Sequence, residues 1–386
     1  MNNHYLVVMR NSKLFNIDRY TGAANFCDRK AETAQLIDMF EQGRNGVLYS
    51  LRRLGKTGLL QHFHSKIKRN KKVVTVYLDI MATKSDVEFV NSLAQGTLQA
   101  LEKKKKGVFK KALDTLANLR PSLSMDPYTQ MPTLQLGITT AEEVKLSLNQ
   151  LIELLAKQPY QFQIAIDEFQ QIVKYKEGTT IDAAIRATFQ TADNIHYIFS
   201  GSERHLLLKL FSLPDKPLYA SLDMLNLDYI EAATYAKFIR KQFKKADTII
   251  TDRAIEDLLE WTNIHTFYTQ YFCNKLEGKK HKKIDLFQVA EVKREILFQY
   301  EVIYINFKKL LSKNQWELLV AIAKEGQIIE YTARDFLVKY NLSQSSTKQA
   351  LEALLDKSMI IDKLSLDKAC YQVYDVFLWR WAERYG

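Results

Sequence analysis

Residues 46–57, Gly-Val-Leu-Tyr-Ser-Leu-Arg-Arg-Leu-Gly-Lys-Thr, constrain this chain more than any other segment. A short apolar strand runs into a loop, and residues 58–69 continue as a helix. The first turn of such a helix has N–H groups without intrahelical acceptors and the positive end of the helix dipole, so the loop is suited to hold an anion. Gly55 lets the backbone approach closely. Lys56 is placed for the β- and γ-phosphates of a nucleotide, and the Thr57 hydroxyl for Mg2+. Arg53, Leu54 and Gly58 complete the predicted cradle. Ser50 stands where such loops usually begin with glycine.

A second strand pattern, Gln163 to Ile166, ends in Asp167 and Glu168. Strands often end in solvated acids. Downstream of a Gly-Lys-Thr loop the same pair has a chemical reading: Asp167 for the metal and Glu168 as the general base that polarises an attacking water. The strand Ile195 to Ser200 then runs into Gly201 and Ser202. Either Ser200 or Ser202 can face the γ-phosphate, and the sequence does not choose between them. Strands at 46–50, 73–80, 163–166 and 195–200 alternate with helical patterns at 26–43, 58–69, 141–157 and 181–191. This predicts an α/β unit with a parallel sheet and helices on both faces. Residues 101–140, with Lys103 to Lys106, Lys110, Lys111 and three prolines, read as a basic helix and an irregular loop inserted into it.

Strand signals stop after residue 225, and 230–310 read as helices. Residues 311–386 give three helices and a strand pair, the pattern of a winged helix. The expected domains are thus 1–228, 229–310 as a helical lid, and 311–386. Only 13 Gly and 6 Pro among 386 residues exclude collagen-like and linker-rich chains. Cys27, Cys273 and Cys370 are too dispersed for a disulfide scaffold or most zinc modules. No apolar run reaches the roughly 20 residues of a membrane span. No secretory leader is visible, so no membrane partner and a cytoplasmic, reducing setting are expected.

These residues resemble the AAA+ P-loop ATPases, and within them the archaeal-type ATPase family related to STAND and origin-recognition ATPases. Phe26-Cys-Asp-Arg29-Lys-Ala-Glu32 is similar to that family's Phe-x-Gly-Arg-x-x-Glu box, with Asp28 for glycine. The resemblance implies an adenine-side contact by Phe26 and Arg29. The loop from Ser50 to Thr57, the segment Phe199 to Ser202 and the end from Tyr371 to Trp379 also match family segments. Two positions depart from the pattern. Ser221 stands where an arginine often follows Pro-Leu-Tyr, and Thr262 to Thr266 replace a Gly-Gly-Asn-Pro-like turn. Arg186 and Arg204 remain as arginine-finger candidates. The resemblance implies an ATPase using ATP and Mg2+, with ATP or ADP bound, driving a conformational switch. It also raises a homo-oligomer, and DNA or a protein client at the winged helix. A DNA-binding regulator with ATP as conformational ligand, or a scaffold with negligible turnover, are the alternatives.

Charge weighs on the DNA alternative. The chain carries 55 Lys and Arg against 44 Asp and Glu, a net +11. The excess is densest at 61–120, whereas 311–386 holds ten basic and ten acidic residues. Ser345, Ser346, Thr347, Lys348 and Gln349 open the expected recognition helix, but phosphate neutralisation normally supplies much of DNA affinity. His62 and His64, two apart on a helix, face different ways. His265 lies in the predicted lid, and Arg52 in the phosphate loop. Phe377, Trp379 and Trp381 read as winged-helix core.

Overall fold

The computed structural model describes residues 14–105, 107, 114, 116–117, 120–125, 132–175, 180–214, 216–365 and 368–386. Lys106, Lys110 and Lys111 of the predicted basic segment lie outside the described residues. The chain divides into two compact units, Asp18–Tyr229 and Ile230–Gly386, the latter joined by the segment before Asp18.

The first unit is built on β1 (Gly46–Tyr49), β2 (Val73–Asp79), β5 (Gln161–Asp167), β6 (Ile195–Gly201) and β7 (Asp223–Asn226). All neighbours pair in parallel, in the order β2-β5-β6-β1-β7. Side chains alternate across a strand, and the cores follow that alternation. Val47, Val76, Ile164, Ile166, Tyr197 and Phe199 face one core with α3 (Asp86–Glu102), α4 (Ala141–Ala156), α5 (Ile181–Thr191) and α6 (Arg204–Ser212). Leu48, Val73, Ala165 and Ile198 face the other, with α1 (Lys30–Glu41) and α2 (Lys56–Ile67). Helices therefore cover both faces, as the motif order predicts.

Three local readings change. The first helix begins at Lys30, not Phe26, because Asp28 and Arg29 are both left-handed, with φ of 53° and 63°. The left-handed backbone at Asp28 is the conformation in which glycine is least strained. The 101–140 insertion is not all irregular. Its β3 (Ser122–Met125) and β4 (Pro132–Gln135) pair antiparallel. Leu134, Leu136 and Ile138 alternate into the core, while Gln95 and Asn91 of α3 accept the Leu134 and Leu136 N–H groups. The edge strand β7 went unread because Asp-Met-Leu-Asn is short, half-exposed and pairs on one side only.

The second unit runs through α7 (Ala232–Lys245), β8 (Ile249–Ile250), α8 (Asp252–Trp261), α9 (Thr266–Gly278), β9 (Lys283–Ile284), α10 (Leu286–Leu310), α11 (Lys313–Glu325), α12 (Arg334–Lys339), α13 (Gln344–Asp356), β10 (Ile360–Ser365), β11 (Lys368–Val373) and α14 (Val376–Tyr385). Capping boxes at Asp285/Gln288 and Ser312/Gln315 fix the starts of α10 and α11. β10 and β11 form the expected hairpin, and Ile328 bridges to Tyr371 alongside it.

Part of the predicted winged-helix core looks elsewhere. Trp379 donates to the Ala323 carbonyl of α11 at 2.8 Å, and Trp381 packs on Trp316. Phe377 instead meets Trp261, Tyr268, Tyr271 and Tyr300 of α8, α9 and α10, with centroids 4.7–5.7 Å away. Arg380 donates to the Glu260 and Trp261 carbonyls that end α8. Helix-end carbonyls need such partners. At the start of α13, Thr347 is buried and bonds to the Ser343 carbonyl, and Ser346 bonds to Ser343. Of the five polar residues read there, Ser345, Lys348 and Gln349 are the exposed ones. No described helix is long and apolar enough to cross a membrane.

Candidate nucleotide site

β1, β6 and β5 lie side by side, so their C-terminal ends deliver the phosphate loop, Ser200 to Ser202, and Asp167 to Glu168 to one edge of the sheet. Ligands of open α/β sheets are bound at that edge. The loop turns through left-handed Arg53 and Gly55, with φ of 63° and 104°, into the first turn of α2. Ser50 is buried at the first-glycine position without a left-handed backbone, so the missing glycine leaves no strain there. Its hydroxyl accepts the Lys56 ammonium at 3.2 Å. Burial pushes the Lys56 ammonium below the usual lysine value, while Asp167 and Glu168 act in the opposite sense.

Asp167 is the hub. Its Oδ2 accepts from the Thr57 hydroxyl at 2.7 Å and the Tyr77 hydroxyl at 2.8 Å. Its Oδ1 accepts from the Ser200 hydroxyl and, at 3.1 Å, from the Glu168 N–H. Glu168 is itself left-handed, φ 57°. Its Oε2 accepts from the Ser202 hydroxyl at 2.8 Å and the wholly buried Gln170 amide at 2.6 Å. The two serines thus divide between the two acids. Arg52 reaches Ser202 at 3.3 Å and Glu203 at 3.5 Å. Asp79 ends β2 opposite Asp167, and burial beside the two acids raises its carboxyl above the usual range.

The segment before α1 touches the same loop. Arg29, almost wholly buried, pairs with Glu32 at 2.8 Å and reaches the Leu54 carbonyl at 3.4 Å. Phe26 stacks on His62 of α2, with centroids 4.5 Å apart and planes 19° apart. A Cβ on Gly58 would touch the Phe26 ring at 3.5 Å. Tyr20 hydrogen-bonds His62 at 2.8 Å, whereas His64 turns inward to Gln163.

Other candidates lie apart from this cluster. Arg186 sits over the Phe189 ring on α5, and Ser221 bonds within its own turn to the Tyr219 carbonyl. The Arg204 side chain lies outside the described residues. His265 is buried against Tyr268 in the second unit. Tyr77, Asp79 and Gln170 were not singled out from sequence. Strand alternation could have found Tyr77 and Asp79, which stand two apart on β2. Nothing local marks Gln170.

The family model described as "ATPase domain predominantly from Archaea" matches residues 26–265. The chain belongs to that family. A second model, "Probable winged helix domain", matches residues 302–384 of this archaeal-type ATPase. No curated protein matches the sequence. Among solved structures, a Walker-type ATPase of Pyrococcus abyssi is similar at 19% identity with TM-score 0.64, over 96% of this chain and 99% of that one. The ORC2 protein of Aeropyrum pernix, solved in ADPNP–ADP complexes, aligns at 11% identity with TM-score 0.57, over 97% of each chain. At these identities the likeness establishes the fold: a P-loop NTPase sheet followed by a helical region and a winged helix.

Proposed function

We propose that this ATPase-family chain binds ATP with Mg2+ and hydrolyses it to ADP and phosphate, and that hydrolysis drives a change of conformation. The observation that carries this reading is the convergence of Lys56, Thr57, Asp167 and Glu168 at one sheet edge. Backbone N–H groups from Leu54 to Gly58 cradle the phosphates, Lys56 leaves Ser50 for the β- and γ-phosphates, and Arg29 steadies the loop through Leu54. Phe26 takes the adenine side. The Thr57 and Asp167 oxygens, 2.7 Å apart, are a donor set suited to Mg2+, which prefers oxygen and keeps several waters. The ion, when bound there, neutralises developing phosphate charge. Glu168 holds the attacking water, accepts its proton and is oriented by Ser202 and Gln170. Ser200 orients Asp167.

Two variants test this. Lys56→Ala should abolish tight ATP binding in a filter or calorimetric assay. Glu168→Gln should bind ATP as before yet hydrolyse it roughly 10²–10⁴-fold more slowly, the usual worth of a positioned base. Unchanged affinity in the first variant or unchanged turnover in the second would overturn the corresponding assignment.

A further inference from the structure

Two lysine-rich segments distant in sequence meet in the second unit. α7 carries Lys237, Lys241, Lys244 and Lys245, and the turn after α9 reads Lys279-Lys280-His281-Lys282-Lys283. The β8–β9 pair joins them. The Ile249 N–H donates to the Lys282 carbonyl at 3.0 Å, the Thr248 hydroxyl donates to the His281 carbonyl at 2.9 Å, and Ile249 lies opposite Lys283. Lys237, Lys241 and Lys244 stand at i, i+4 and i+7, on one face of α7, and all are exposed. Asp247 is the one acid within 237–248 and 279–283.

A structural role explains part of this. Cations are favoured at helix C-termini, which accounts for Lys244, Lys245 and Lys279, and Lys279 also pairs with Glu295 at 3.0 Å. It does not account for Lys237 and Lys241, a turn or more from the end of α7, or for Lys280, Lys282 and Lys283, which lie beyond α9. None of these five forms a salt bridge with an acid among the described residues.

We propose that this ridge binds the phosphate backbone of double-stranded nucleic acid. The winged helix of the same unit is neutral over 311–386, so it brings no net positive charge to a duplex, whereas the ridge does. A membrane-surface helix must lay its apolar face into lipid, but that face of α7 is spent on Tyr235, Ile239 and Phe243, all buried. Exposed Ile249 and Phe287 nearby make an anionic bilayer the competing outcome.

The test is fluorescence anisotropy of the full chain with a labelled random-sequence duplex, at about 50–200 mM salt. Replacing Lys237, Lys241, Lys280 and Lys282 by Gln should weaken binding at least about tenfold. It should also flatten the slope of log affinity against log salt by roughly 0.9 for each lysine that meets a phosphate. Replacing Lys103, Lys104 and Lys105 by Gln should leave binding near the wild-type value. The proposal is overturned by unchanged affinity in the first variant, or by an equal loss in the second, which would make net charge the cause. It is also overturned if the wild type binds phosphatidylserine vesicles and no duplex.

Discussion

Phe377→Ala tests whether helices α8 to α10 and the winged helix fold as one body. The ring is buried at 1% exposure among four aromatic side chains of α8, α9 and α10. Truncating a buried Phe to Ala costs about 3–5 kcal/mol. Ile230–Gly386 is a body of the size for which each kcal/mol shifts Tm by about 2–4 °C, so the loss should be roughly 6–20 °C. All four tryptophans, Trp261, Trp316, Trp379 and Trp381, lie in this unit. Selectively excited tryptophan fluorescence therefore follows its melting without interference from the first unit. Hydrogen exchange supplies the decisive reading. If the two segments unfold together, the substitution accelerates exchange in α8 to α10 and in α11 to α14 alike. Faster exchange at 311–386 with 230–310 unchanged would refute the argument, since Phe377 would then support the winged helix alone.

Other outcomes follow from single contacts. Burial holds His64 neutral, its pKa lowered to about 4 despite the Gln163 hydrogen bond. The unfolded chain, with an ordinary pKa near 6.5, binds the proton first. Stability should therefore be full above about pH 6.5 and fall as pH drops towards 4, and His64→Asn should flatten that part of a denaturation-versus-pH curve. A Cβ on Gly201 would lie 2.0 Å from the Gln170 Oε1, so Gly201→Ala should displace the amide that orients Glu168. Steady-state turnover should fall about tenfold, within the worth of a positioned base, with ATP affinity retained. Ile264 is β-branched yet left-handed, φ 52°. Ile264→Gly should relieve about 1 kcal/mol of backbone strain, read as a smaller denaturation penalty than side-chain removal alone predicts. Arg29→Ala should weaken ATP binding in calorimetry with little change in turnover at saturation, because its reach is to the loop carbonyl of Leu54.

The sequence made the nucleotide domain legible because its chemistry is contiguous. A strand, a loop and a helix start write the candidate phosphate site in twelve residues, and an apolar strand ending in two acids writes the other half. What stayed hidden was assembled by tertiary contact. Tyr77 reads as one more strand aromatic until β2 lies beside β5. Gln170 is an unremarkable residue until its amide reaches Glu168. Phe377 looks like winged-helix core because its periodicity says only that it is buried, not against what. The departures from the family pattern became readable once backbone angles were known. Asp28, Asn263 and Ile264 all occupy left-handed positions, the conformation in which glycine is least strained. The lysine ridge escaped the block count because 231–310 sums to a modest +4, fifteen basic against eleven acidic residues, while some of its basic residues gather along one face of α7 and in the turn after α9.

The four donors around Asp167 have a consequence for folding. A buried acid next to a second acid is costly unless its charge and its oxygens are both satisfied; the buried Lys56 ammonium answers the charge. Here three hydroxyls and an amide act as a solvent shell made of protein. On the proposed function, the sheet edge needs no ion to form, and a chelator should stop ATP hydrolysis without unfolding the protein. On that proposal metal binding would be an exchange of partners on a finished scaffold, unlike small zinc modules whose fold waits for the ion.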